Sequence, residues 1–179
     1  MTLIILDAGH GGNDPGANGN GLIEKNLTLD LTLRVAQLLR CDPGFDIRLT
    51  REDDTFIELS ERADIANRAG ADYFVSLHHN AGGGSGFESY VYPGTSESDT
   101  GQKRHVVHST IMAFLSSYGV SDRGEKEANF AVLRETQMSA VLLENLFLDS
   151  SKDTDLLKKP EFLQGLSEAI ADGIKAAVI

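Results

Sequence analysis

The stretch that most constrains this chain is its first, Leu3-Ile4-Ile5-Leu6-Asp7-Ala8-Gly9-His10-Gly11-Gly12. The apolar half, built of β-branched and aliphatic residues, predicts a buried strand. That strand breaks into glycines on both sides of one histidine. Glycine accepts positive φ and lets other groups approach closely, so His10 is expected in an open crevice at a strand end. In α/β sheets ligands bind at that place. Alone, the pattern fits a plain turn histidine equally well.

The rest of the chain supplies the alternation that such a strand needs. Residues 12–21 form a polar, glycine-rich loop. From Glu24 a helix is predicted, with Leu27, Leu31, Val35, Leu38 and Leu39 on one face, ending at the turn Asp42-Pro43-Gly44. Residues 45–51 alternate and predict a second strand. Thr55 and Glu58 stand at capping-box spacing before a helix carrying Leu59, Ala63 and Ala66, closed by Gly70. Residues 73–77 predict a third strand running into His78-His79-Asn80, and residues 87–92 a fourth, stopped by Pro93-Gly94. After a polar linker at 96–101, a helix carries Val107, Ile111, Phe114, Leu115 and Tyr118. Short strands are expected at 130–133 and 141–147, and Pro160 opens a last helix with Phe162, Leu163, Leu166, Ile170 and Ile174. The expectation is one α/β domain over residues 1–179, with a mixed, mainly parallel sheet and helices on both faces.

Composition removes several function classes. A formal net charge of −11 argues against nucleic acid or an anionic membrane surface as partner. The single cysteine, Cys41, excludes an internal disulfide framework. No apolar run reaches the roughly 18 residues of a membrane span, so no membrane insertion is expected. The chain opens on a strand without a basic-then-apolar leader, so an export signal is either not encoded here or already removed. Nothing reads as a dimer seam, and a monomer is expected.

Polar groups stand where apolar runs meet loops: His10, His78 or its neighbour His79, and Glu144 within Val141-Leu142-Leu143-Glu144-Asn145-Leu146-Phe147. Glu24 stands at a helix start. A buried carboxylate is costly unless paired or facing a metal. Histidine with carboxylate is an ordinary zinc set, and three such ligands with an open position make a catalytic site. Each residue also has a plain reading: a turn histidine, an acid favoured by a helix dipole, a salt-bridge partner. Together they point to one site.

The pieces LDAGHGG, Gly21 to Lys25, Leu49 to Arg51, Ala66-Asn67, SLHHN, Asp122 to Gly124, FAVLRET and VLLEN occur in an order that resembles the zinc-dependent N-acetylmuramoyl-L-alanine amidases. These are bacterial cell-wall enzymes with a single α/β catalytic domain. The resemblance implies one Zn²⁺ per chain held by His10, Glu24 and His78, with Glu144 as the catalytic acid–base group. His78 and not His79 falls on the motif's ligand position, and strand alternation turns the two rings to opposite sides. The sequence departs from the family pattern at Ala8, at Ser139-Ala140 and at Leu146, where proline, proline and glycine are frequent. None of these removes a ligand.

The resemblance further implies hydrolysis of the amide between N-acetylmuramic acid and L-alanine in peptidoglycan. It places the protein outside the cell at the wall, as the catalytic part of a longer exported protein. The short segment between Tyr92 and Arg104 lacks the inserted helix that gates some relatives, so no activator is expected. Asn80 and Arg134 are candidate substrate-facing groups, or loop pins. Glu88 either supports the site residues from behind or lies on a solvated strand face, and the solvated face is the favoured reading. Rival readings are another zinc hydrolase (a peptidase or deacetylase), a wall-binding module with a structural zinc, and a metal-free structural protein.

Overall fold

The computed structural model describes residues 1–179. Its first strand, β1 (Thr2–Ala8), is buried along most of its length because it lies inside a sheet covered on both faces. Such strands read as continuous apolar runs. Ile4 and Leu6 face one core, while Ile5 faces the other.

The chain continues through a short hairpin of β2 (Asn18–Gly19) and β3 (Leu22–Ile23), then α1 (Glu24–Arg40), β4 (Phe45–Leu49), α2 (Leu59–Ala69) and β5 (Tyr73–Asn80). It goes on to β6 (Phe87–Val91), α3 (Asp99–Leu115), β7 (Asp122–Glu127), α4 (Ala131–Arg134), β8 (Ser139–Phe147), α5 (Ser151–Leu157) and α6 (Pro160–Val178). Six strands form one sheet in the order β4-β1-β5-β8-β6-β7. All neighbours are parallel except the pair β6 and β8. The sheet is therefore mixed and mainly parallel.

One face packs against α1, α3, α5 and α6, through Leu31, Val35, Leu39, Ile111, Leu157, Phe162 and Ile170 among others. The opposite face is thinner and packs α2 and α4 through Ala66, Val132 and Leu133. Each fully buried Leu, Ile or Phe stabilises the fold by roughly 1.5–3 kcal/mol. The larger cluster, 25 residues against 8, therefore carries most of the apolar stabilisation. From β1 the chain crosses one face through α1 to β4, then returns across the other face through α2 to β5. The carboxyl ends of β1 and β5 thus meet at a topological switch point, where a crevice opens.

Local structure departs from the sequence reading at several places. Residues 130–133 form no strand; Phe130 caps the one-turn helix α4. A four-residue apolar run does not distinguish helix from strand. Thr55 does not cap α2: its hydroxyl bonds Asp53, and the helix starts at Leu59 with no side-chain cap. The expected linker at 96–101 already contains the start of α3, where the Ser98 hydroxyl accepts from the Thr100 N–H. The polar loop at 12–21 contains part of the β2–β3 hairpin. The strands β2, β3 and β7 and the helix α5 carry no clear sequence signal. β7 reads Asp-Arg-Gly-Glu-Lys-Glu, an edge strand whose charges discourage pairing with other chains and erase any apolar signal.

Candidate metal centre

The crevice is built from the backbone upward. Beyond β1 the chain turns sharply, and His10 adopts a left-handed conformation at φ 63°. Two buried arginines clamp this turn by its carbonyls. Arg51 donates to the oxygens of Ala8 and Gly9, both at 2.9 Å. Arg62 donates to those of Ala8 and His10, both at 2.7 Å. Arg62 also pairs at 2.8 Å with Asp7, which is fully buried and accepts from Ser76 and Thr50. Burial alone would raise the Asp7 pKa; the Arg62 charge and the two hydroxyls outweigh it and hold the carboxyl below its usual range. A buried charge of this kind persists only when so fully paired.

His10, so placed, reaches two carboxylates. Its Nδ1 lies 2.8 Å from Asp14 Oδ2 and its Nε2 lies 3.0 Å from Glu24 Oε1. Glu24 opens α1, where the helix dipole favours a negative charge. Its Oε2 accepts the Ala17 N–H at 2.8 Å, and its Oε1 accepts the His79 N–H at 3.0 Å. His78 Nδ1 stands 3.2 Å from the same Oε1. Two glycines make room: a Cβ on Gly9 would overlap the His78 ring, and one on Gly16 would meet both Glu24 and His10.

One donor atom each from His10, Glu24 and His78 falls within 4.8 Å of the others. Tetrahedral zinc with bonds of about 2.0–2.2 Å keeps neighbouring donors roughly 3.3–3.6 Å apart, close to the 3.0 and 3.2 Å seen here. Asp14 holds the far nitrogen of His10, the arrangement that fixes an imidazole for metal binding. Two imidazoles and a carboxylate form the borderline donor set zinc takes, so the residues fit the ion. Burial disfavours charge on both imidazoles, yet the Glu24 carboxylate raises the pKa of each. Burial would also raise Glu24, and the two histidines pull it far down instead.

Glu144 completes the cluster. It pairs in register with His78 across β5 and β8, so both side chains share one face. Its Oε2 is buried without a hydrogen-bond partner. Burial, helped by the nearby Glu24 and Glu88 charges, pushes its pKa up to about 7. His79 points elsewhere: its Nδ1 meets the Asn145 carbonyl oxygen, and burial lowers its pKa to about 4.

Residues 4–176 match the sequence family described as N-acetylmuramoyl-L-alanine amidase. The chain belongs to that amidase family. It is 49% identical over 174 residues to an endolysin of Bacillus phage SPP1, covering 96% of this chain and 64% of that protein. It is 44% identical over 179 residues to the sporulation-specific N-acetylmuramoyl-L-alanine amidase of Bacillus subtilis, covering 99% of this chain and 68% of the relative. It thus spans about two thirds of the length of these relatives. Among solved structures, the catalytic domain of CwlV, an N-acetylmuramoyl-L-alanine amidase from Bacillus (Paenibacillus) polymyxa, superposes with a TM-score of 0.90 at 37% identity, covering 98% of this chain and 97% of that one.

In this amidase chain the cluster forms one wall of a cleft of about 590 Å³. Phe56, Ile57, Leu59, Phe130, Ala131 and Val132 give it an apolar lining. Asn80 lines it too, but its amide is engaged, donating to Glu88 and accepting from the Ala81 N–H. Arg134 lies outside that lining and bonds Asn129 and Glu135. Glu88 is not on a solvated face: it is 3% exposed and bonds Asn80, Tyr90, Arg123 and Lys126. The strand pattern of β6 is amphipathic in sequence, but β7 covers it from the edge. Asp14 and the Asp7–Arg62 pair were missed, since neither loop contacts nor a buried arginine leave a spacing signal.

Proposed function

We propose that this chain hydrolyses the amide bond between the lactyl group of N-acetylmuramic acid and L-alanine in peptidoglycan, using one zinc ion held by His10, Glu24 and His78. The observation that carries the reading is an unpartnered, buried Glu144 oxygen beside three converging donors. When bound, zinc lowers the pKa of a water to ~7 and polarises a carbonyl oxygen. Glu144, buried beside the three donors with one oxygen free of any partner, takes the proton of the attacking water and returns it to the leaving amine. Asp14 and the clamped β1 turn hold His10 in place.

The substrate lies outside the cytoplasmic membrane, so the protein acts at the cell wall. No helix is long and apolar enough to cross a membrane. The test is digestion of purified peptidoglycan by zinc-loaded protein. New α-amino groups on L-alanine, with glycan strands and stem peptides otherwise intact, are expected. Cleavage within the stem peptide, or loss of N-acetyl groups, would assign a different zinc hydrolase. The Glu144→Gln protein should retain zinc while its release of product falls by orders of magnitude.

A further inference from the structure

The residues of the site lie in a transverse row, and the row does not stop at Glu144. His78 on β5 is in register with Glu144 on β8, which is in register with Glu88 on β6. Beyond it on β7 stand Arg123 and Lys126, both bonded to the Glu88 carboxylate. Charge along the row does not balance there. Glu88 is 3% exposed, whereas Arg123 and Lys126 are 36% and 37% exposed. Two half-exposed cations therefore share one buried anion.

The neighbouring acids of β7 are engaged elsewhere: Asp122 with His108, Glu125 with Arg104 and His105, Glu127 with the Ser96 N–H. The guanidinium of Arg123 rests over the Phe147 ring at 4.7 Å, which fixes its plane. Tyr90 bonds Glu88 and packs on the cleft residue Phe130, linking this spot to the cleft. On a chain of net charge −11, a positive spot joined to the cleft residue Phe130 through Tyr90 is a local feature and not a general surface property.

We propose that Arg123 and Lys126 form a subsite for a free carboxylate on the peptide side of the substrate. This rests on the amide hydrolysis proposed above. Two inter-strand steps of about 4.8 Å separate β8 from β7, so their backbones lie roughly 10 Å apart, and the cation heads, bonded to Glu88 on the strand between, fall within that span of Glu144. An extended peptide advances about 3.3–3.6 Å per residue, so a carboxylate carried by the second residue after the cut amide reaches that distance. Arginine with a planar fork, beside a lysine point charge, suits a carboxylate better than a neutral carboxamide.

The experiment uses zinc-loaded protein and two N-acetylmuramoyl-peptides, identical except that the second residue carries a free carboxylate or its amide. The free form should show a kcat/KM roughly tenfold higher, carried mainly by KM. In Arg123→Gln and Lys126→Gln, the free-to-amidated ratio should shrink toward one. Equal efficiency on both substrates in the unaltered protein, or an unchanged ratio in both variants, overturns the subsite. If neither substrate is cut, the hydrolytic reading fails instead. Calorimetric binding of the two free peptides then decides the subsite alone. Preference for the carboxylate peptide that Arg123→Gln abolishes supports it, and equal binding overturns it.

Discussion

Glu144 is a carboxylate that the fold keeps near its protonation midpoint at neutral pH. Burial raises it from the usual 4.5 to about 7, so in the metal-free protein its charge is disfavoured by folding. The sign follows from linkage: a carboxyl raised on folding contributes stability that fades as pH rises from about 4.5 to about 7. Urea unfolding of metal-free protein should therefore show Glu144→Gln gaining on the unaltered chain across that window. A difference that stays flat would mean the carboxyl is not desolvated. With zinc present, the same substitution should lower turnover by roughly 10²–10⁴-fold at unchanged metal content. Gly9→Ala pushes on the His78 ring and should weaken zinc affinity by about 10–100-fold, measured by competition with a chromophoric chelator. His10, Glu24, His78 or its neighbour, and Glu144 stood out as candidates because polar groups where apolar runs meet loops and helix starts leave a pattern in sequence, and the choice of His78 and the roles came from the family resemblance. Asp14 did not stand out, because a loop closing four residues back on a histidine obeys no periodicity.

At the scale of elements, β8 carries a bulge next to Glu144. Between His78 and Asn80 its partner strand advances two residues while β8 advances three, and Leu146 adopts φ 71°. Left-handed conformation costs a non-glycine residue about 1–2 kcal/mol. Yet Leu146 is fully buried in the larger core, and removing a buried leucine side chain costs about 2–5 kcal/mol. Packing outweighs strain. Leu146→Gly should thus be destabilising by about 1–3 kcal/mol in urea unfolding, although glycine suits the backbone better. The clamp on β1 behaves differently. Arg62→Met strands the buried Asp7 charge and should cost about 3–5 kcal/mol, read from the same unfolding curves. Strand β5 and helix α1 were legible from apolar spacing, whereas β7 was hidden by its charges and α4 by its brevity.

Across the whole molecule, zinc should link folding to function. An ion binding only the folded state at 100 times its dissociation constant adds about 2.7 kcal/mol. Chelation should therefore lower the melting temperature as well as abolish hydrolysis, and added zinc should restore both. A melting temperature indifferent to chelator would count against His10, Glu24 and His78 as ligands. The class of fold was legible because helices and strands alternate in sequence. The strand order was not, since nothing local tells β6 to run antiparallel against β8.

The transverse row has a consequence for how such a chain tolerates change. Every reacting group on β5 and β8 depends on one reading frame of the pleat, in which His78 faces Glu144. Deleting a single residue within either strand ahead of these positions would turn that strand's group, His78 or Glu144, toward the opposite core and separate it from its partner. An insertion or deletion in either of these two strands should therefore abolish the centre, whereas one in a connecting segment away from the cleft should leave it in place.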